Sequence, residues 1–259
     1  MNDAMFRVLI FLLGLTVFSI LESFFSYRVR SQKRIVRWPS NVGLIFISSF
    51  LVKIFLPGGL ALFSEYTNTH NLGLFNLVDL GVGVEIFLSI LVLDFFIYFQ
   101  HVLSHRVPLL WRFHRVHHTD TDLDVTSALR FHPLEILFSI LFKVLLVLAF
   151  GFSIESLFIF EVTLNFMAMF NHSNLYIPKK IERLLRSVVV TPQMHLIHHS
   201  VQQKESDMNY GFNLSAWDRI FQTYLNEFES IGEIGQNYAR EEKEHRLIFL
   251  LVLPFKRKQ

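Results

Sequence analysis

The chain has 259 residues, 52% of them hydrophobic and 18% charged, and its mean hydropathy is +0.39. Soluble domains average roughly 45–50% apolar and about 25% charged residues, so an ordinary soluble globule is excluded and a bilayer is implied. A net charge of +2 is too small to argue for nucleic acid, and with no cysteine disulfides, thiolate-held zinc, iron–sulfur clusters and thiolate-ligated haem are excluded.

A spanning helix needs about 20 mostly apolar residues to cross a core of about 30 Å. Residues 5–21, 42–63 and 80–99 each meet that need. The run 134–170 is too long for one crossing at about 1.5 Å per residue, and Gly151 and Ser153 offer a break, so it reads as a helical hairpin, 134–151 and 153–170. The expected fold is therefore an all-α membrane bundle of four to five embedded helices. No small-x-small cleavage pattern follows the first segment and Glu22 comes next, so that segment reads as an uncleaved anchor rather than a signal peptide.

The loop 22–41 carries Arg28, Arg30, Lys33, Arg34 and Arg37, whereas 64–79 carries no Lys or Arg. By the positive-inside rule the first loop is cytoplasmic and the second outside. Counting crossings puts 100–133 and everything after Asn171 in the cytoplasm. The run 246–255 is too short to cross and is followed by Lys256-Arg257-Lys258; it is expected on the inner membrane surface.

Ten of the 12 histidines lie between His101 and His199, all on that one side. "HVLSH" sets His101 and His105 at i, i+4 on a continuation of the third spanning helix, which Pro108 then breaks. "HRVHH" (His114, His117, His118) and "HLIHH" (His195, His198, His199) repeat an i, i+3, i+4 spacing, one helical face each. Thr191-Pro192 reads as the start of a helix. His132 and His172 flank the hairpin, at its beginning and end. Neutral imidazole suits iron, copper, zinc and nickel, and a tetrahedral zinc takes four ligands; eight to ten imidazoles exceed any single site and imply two metals. A lone histidine at an apolar surface is usually structural, and His70 and His245 are assigned that way, with alanine at either expected to be nearly silent. A metal transporter would place ionisable ligands near the midplane. A membrane zinc hydrolase would need a general base such as the Glu of H-E-x-x-H, which H-x-x-H-H lacks. Both remain alternatives.

At these residues the chain resembles the fatty acid hydroxylase/sterol desaturase superfamily of membrane histidine-box di-iron enzymes. Asp94-x-x-x-Tyr98-x-x-His101-x-x-x-His105 resembles the first box, Trp111-x-x-His114-x-x-His117-His118 the second, and Pro192-x-x-His195-x-x-His198-His199 the third. Arg130-x-His132-Pro133 and Asn171-His172 resemble the shorter motifs between boxes. Asn209-Tyr210-Gly211 and Trp217-Asp218-x-Ile220-Phe221-x-Thr223 resemble the closing segment, with Gln222 where glycine is usual. The resemblance covers about 80–225. It implies N-terminal anchor helices over 1–79, a di-iron domain over 80–225 with a cytosolic helical cap carrying the boxes, and a membrane-surface tail over 226–259. It implies two iron ions as cofactor, O2 as cosubstrate and a lipid substrate hydroxylated or desaturated at a C–H bond, with hydroxylation preferred. It assigns His101, His105, His114, His117, His118, His195, His198 and His199 as ligands, with His172 and His132 added. Nothing resembles a fused electron-carrying domain, so electrons come from a separate cytochrome b5-, ferredoxin- or reductase-type donor. That donor is expected to dock at the third box and tail, where Lys179, Lys180, Arg183 and Arg186 cluster.

Metal-bound imidazoles usually donate their other N–H to a carboxylate or carbonyl. Asp94, Asn171 and Asp218 are the expected partners, with Asp120, Asp122, Asp124 and Asn209 as further candidates; the aspartates of "HHTDTDLD" equally suit a solvated loop. Lys143 and Glu161 flank the hairpin turn at equal depth and are expected to pair, and Lys53 faces either Glu85 or the interface. The aromatic run 95–99 and the hairpin phenylalanines read as core or lipid-facing in preference to a substrate tunnel.

Overall fold

The computed structural model describes residues 3–78, 80–228 and 232–256. The long helices are α1 (Asp3–Phe24), α2 (Arg34–Phe55), α3 (Gly59–Thr69), α4 (Val82–Arg106), α5 (Pro108–His118), α6 (Pro133–Phe150) and α7 (Ile154–His172). Shorter helices follow, α8 (Lys179–Arg186), α9 (Pro192–His198), α10 (Gln203–Ser206), α11 (Ala216–Ile220) and α12 (Leu247–Val252). Among the described residues β-structure is limited to isolated bridges. Five helical stretches are long and apolar enough to cross a membrane: α1, the run from α2 into α3, α4, α6 and α7. The chain is thus an all-helical, multi-pass membrane bundle.

Proline and small polar residues punctuate these helices. Pro108, Pro133 and Pro192 each open a helix, where a missing N–H costs nothing and φ is already helical. Ser153 and Thr191 accept the N–H of Ser156 and Met194 as N-caps. Gly151 ends α6 at φ +71°, and a side chain there would collide with the Leu72 carbonyl; the hairpin turn needs glycine for both reasons. The second apolar segment departs from expectation. It is not one helix over 42–63. It breaks at Leu56-Pro57-Gly58 and resumes as α3, which packs on the hairpin turn, with Ser64 donating to the Phe152 carbonyl at 2.7 Å. Much of the expected outer loop is therefore helical, and its end at Asp79 lies outside the described residues.

Helix directions follow from side-chain pairs. Phe6 stacks with Phe158 at 5.9 Å and Phe18 meets Phe170 at 5.9 Å, so α1 and α7 run parallel. Glu85 accepts from Ser153 and Ser156, setting the start of α4 at the hairpin turn. α2 begins at the opposite end. All histidine-bearing ends, those of α4, α5, α7 and α9, thereby gather on one side of the bundle.

The segment 119–130 is not a solvated loop. Asp120, Asp122 and Asp124 are buried. Arg37 donates from Nε and Nη2 to both oxygens of Asp120, at 2.6 and 2.7 Å, and from Nη1 to Asp124 at 2.8 Å. Arg37, one of five cations read as a topology signal, is fully buried and serves as a structural clamp. Burial opposes the charge of Asp120, but Arg37 and Arg130 hold its carboxyl well below the usual carboxylate range. Buried Glu22 joins three elements by accepting the N–H of Val125 and of Asn174 and an N–H of Arg34.

Residues 232–256 fold back onto the bundle. Leu250 and Leu253 pack with Leu44 and Val116; Arg112 donates to the Pro254 carbonyl and Arg115 to that of Leu253. Ile248, Val252 and Phe255 remain exposed on the other face, as a segment lying along a membrane surface requires. Arg257 and Lys258 lie outside the described residues.

Lys143 and Glu161 meet as expected, Nζ to Oε1 at 3.7 Å. Arg7, from α1, also pairs with Glu161, a contact no local pattern announces. Lys53 is exposed. Phe95 and Tyr98 pack on Trp217, Phe221 and Tyr210 of the closing segment rather than lining a tunnel.

Candidate metal centre

Nine histidines converge at the gathered helix ends. His101, His105, His114, His118 and His198 form one group, and His117, His172, His195 and His199 a second; within each group the potential ligand atoms all lie within 4.8 Å of one another. All nine are buried. The groups touch: the His118 and His199 rings stack at 4.5 Å. Helical spacing explains the division. In the second box His114 and His118, four apart, serve one group while His117 serves the other; in the third box His195 and His199 serve one and His198 the other.

The ring orientations test whether a cation fits. Nδ1 of His101 donates to the Tyr210 carbonyl at 2.7 Å, and Nδ1 of His114 to Glu135 at 2.6 Å. A neutral imidazole that spends its proton on Nδ1 has a bare lone pair at Nε2. Yet the two Nε2 atoms face each other 3.1 Å apart. His172 donates from Nδ1 to the Ala168 carbonyl, and its Nε2 faces those of His117 and His195 at 3.0 Å each. Opposed lone pairs at this range repel unless a cation lies between them. Ligands about 2.1 Å from a metal and at right angles to each other sit about 3.0 Å apart, so the spacing suits coordination. The donor set, all neutral nitrogen, fits iron, copper, zinc or nickel. Burial, and then the neighbouring rings, hold His117, His118, His195 and His199 far below the ordinary histidine pKa, and so in the unprotonated form a metal needs. His198 shares this shift and donates Nδ1 to the Met208 carbonyl at 2.9 Å.

His132 is the exception among the ten expected ligands. Its Nδ1 caps α6 by accepting the Leu134 N–H at 3.2 Å, and its Nε2 faces the Leu251 carbonyl at 3.2 Å. With both nitrogens occupied at the start of α6, it joins neither group.

This geometry accords with comparison to known proteins. Residues 86–223 match the fatty acid hydroxylase family profile. The chain belongs to the fatty acid hydroxylase family. It is 30% identical over 145 residues to the ornithine lipid hydroxylase OlsE of Rhizobium tropici, a stretch covering 56% of this chain and 43% of that protein. It is 32% identical over 148 residues to the alkylglycerol monooxygenase of Xenopus tropicalis (56% and 31%), and 31% over 141 residues to that of Homo sapiens (53% and 30%). The matched stretches span less than half the length of these relatives. No solved structure matches.

In this member of the family the three residues expected beside the histidines lie one step further out. Asp94 accepts from Asn213 N, Leu214 N and Trp217 Nε1, the last at 2.9 Å, and so anchors the closing segment. Asp218 accepts from Tyr210 N at 2.7 Å, Gly211 N at 2.8 Å and Thr223 Oγ1 at 2.7 Å, fixing the loop whose Tyr210 carbonyl receives His101. Asn171 donates to the Phe212 carbonyl. A carboxylate hydrogen-bonded to one of the nine histidines is Glu135, on His114, which sequence reasoning missed; its one local signal is its place three residues after His132, in the first turn of α6. Asn209, at φ +58°, ties the Met194 and Leu225 carbonyls together. Gln222 has φ +59°, the left-handed backbone for which glycine is the unstrained residue, which explains the family's usual choice there. His245 joins neither histidine group but is fully buried, its Nδ1 facing Arg130 Nη2 at 3.3 Å, so alanine there would leave a void and is expected to cost stability. His70 is exposed and lies against Tyr66.

A cavity of about 290 Å³ opens from His101 and His114 into the bundle between α1, α2, α4, α6 and α7, lined mostly by apolar residues such as Ile97, Leu129, Phe131 and Phe212. On the other side, Trp111 lies 4.9 Å from the His105 ring and 5.3 Å from that of His118, and forms part of an open groove of about 980 Å³ shared with Arg115, Gln236, Tyr238 and Lys243.

Proposed function

We propose that this chain is a membrane-bound, O2-dependent di-iron oxidoreductase that hydroxylates a C–H bond of a lipid. The observation that carries this reading is a pair of adjoining buried all-histidine groups, the first of which opens on an apolar cavity within the bundle: redox metal and hydrocarbon chain would meet at the His101/His114 wall. Iron bound there, with O2 and two electrons, supplies the oxidising power to remove hydrogen from an unactivated C–H bond. The protein's part is placement and exclusion. The first group comprises His101, His105, His114, His118 and His198, and the second His117, His172, His195 and His199. Glu135 and the Tyr210 carbonyl hold His114 and His101 in the tautomer that presents Nε2. The apolar walls exclude water and align the chain, and hydroxylation rather than desaturation is the expected outcome. That the relatives are named a lipid hydroxylase and alkylglycerol monooxygenases supports a lipid substrate.

The histidine ends face the cytoplasm in this reading, supported by the cations of the 25–37 loop. The anchor region ends near residue 79, and the tail from 226 lies on the inner surface. A separate electron donor docks in the groove over Trp111, whose ring touches two ligands. The groove borders the third box and the tail, where docking is expected, and of the nearby α8 cations Arg186 is buried and bonded to Glu182 and Asn226.

The test is metal analysis of purified protein together with lipid extracts from cells with and without the gene. About two irons per chain and a lipid heavier by one oxygen are expected. One zinc per chain and no oxygenated product would favour a zinc hydrolase instead. His117→Ala and His198→Ala should each abolish product and lower bound iron while leaving membrane insertion intact; a variant that kept full turnover would remove the ligand assignment.

A further inference from the structure

The inner end of the cavity is not apolar. Lys143 and Glu161 line it, with Ser139, Asn165 and Gln100 nearby. Lys143 sits eight residues beyond Glu135 on α6, roughly 12 Å further into the bundle at 1.5 Å per residue. Its side chain is 9% exposed, so it faces the cavity and not the lipid. Its contact with Glu161, at 3.7 Å, is longer than a hydrogen bond. Glu161 is shared, because Arg7 pairs with its other oxygen. Two cations therefore divide one carboxylate, and the ammonium keeps donors directed into the cavity. Charge inside a membrane is costly and is usually paired or functional, and an incompletely paired charge costs most.

We propose that this end is a substrate subsite. Lys143 holds a polar acceptor group of the lipid, a carboxylate, hydroxyl or amide carbonyl, while the apolar chain runs about 12 Å along α6 to the His101/His114 wall. The substrate is then an amphiphile that carries an acceptor at a fixed distance from the oxidised carbon, and Lys143 is a specificity-determining residue. Glu161 and Arg7 position the ammonium: Glu161 draws it toward α7, and Arg7 keeps that carboxylate from neutralising it fully. This inference rests on the proposed hydroxylase reading for the identity of the chain's far end.

Binding of decanoic acid, decanol and decane to the purified protein in phospholipid nanodiscs, read as thermal stabilisation, tests it without turnover. The wild type should favour the acid, then the alcohol, over the alkane. Lys143→Met should lose that preference by roughly tenfold or more, the worth of a hydrogen bond to a charged group, while Lys143→Arg should retain it. Should Lys143→Met fail to fold, Glu161→Gln decides: freeing the ammonium should raise the preference for the acid. An unchanged order in Lys143→Met or Glu161→Gln, or a wild type that binds decane as tightly as decanoic acid, overturns the subsite. A protein that shows the expected order yet oxygenates no lipid would overturn the hydroxylase reading and leave the subsite standing.

Discussion

At the scale of the residue, the site depends on which ring nitrogen keeps its proton. Glu135 fixes this for His114, and a carboxylate partner also raises the ligand's basicity. Glu135→Gln is expected to lower iron retention by about 10-fold to 100-fold, measured as iron lost per chain against a graded chelator; full retention would show that the contact does not tune the metal. Gln222 presents the converse case, a residue at φ +59° where glycine carries no strain. Gln222→Gly should stabilise the protein by about 0.5–1 kcal/mol, seen as a rise in Tm, since removing left-handed strain outweighs glycine's extra freedom when unfolded. The sequence made the Gln222 departure visible through its motif. It could not reveal Glu135, because a helix-start glutamate gains a role only when α6 crosses α5.

At the scale of the element, helix limits were legible wherever proline or a cap marks them: Pro108, Pro192, Ser153 and Gly151 all act as expected, and Pro133 opens α6 in the same way. The break at Pro57-Gly58 carries equally strong punctuation, yet the apolar run continues across it, and hydropathy alone joined what the backbone divides. The segment 119–130 misled in the opposite direction. Its alternating aspartates look solvated until Arg37 arrives from α2, outside the local pattern. Arg37→Leu should cost about 3–5 kcal/mol, because Asp120 and Asp124 would stay buried with their main partner gone. Thermal unfolding in detergent checks this; a loss below about 1 kcal/mol would rank the contact with exposed pairs.

At the scale of the whole molecule, the cluster makes stability depend on pH. The folded rings of His117, His118, His195, His198 and His199 resist protonation, burial first and neighbouring rings next, whereas unfolded histidines protonate near pH 6.5. Below that value the unfolded state binds more protons, so stability falls as pH falls, down to the much lower pH at which the folded rings titrate. Burial raises Asp218 to about 6, which opposes the trend between about pH 4 and 6, but the five rings outweigh it. Iron-free protein should therefore lose Tm steadily below about pH 6.5, and iron-loaded protein should hold its Tm further into acid before releasing metal. A flat Tm for the iron-free form across this range would contradict the burial of neutral imidazoles.

The sequence by itself determined the class of the molecule: apolar runs of spanning length, a hairpin broken at glycine, and histidines at helical spacing on one side of the membrane. These properties are local, since hydropathy, turn chemistry and the period of the α-helix act over a few residues. The tertiary structure alone decided which ring nitrogens face inward, that His132 stays apart from the nine, that Glu135 supports His114, and that Arg7 joins the Lys143–Glu161 pair. Each of these depends on how separate helices pack in the bundle, and no local pattern carries that information.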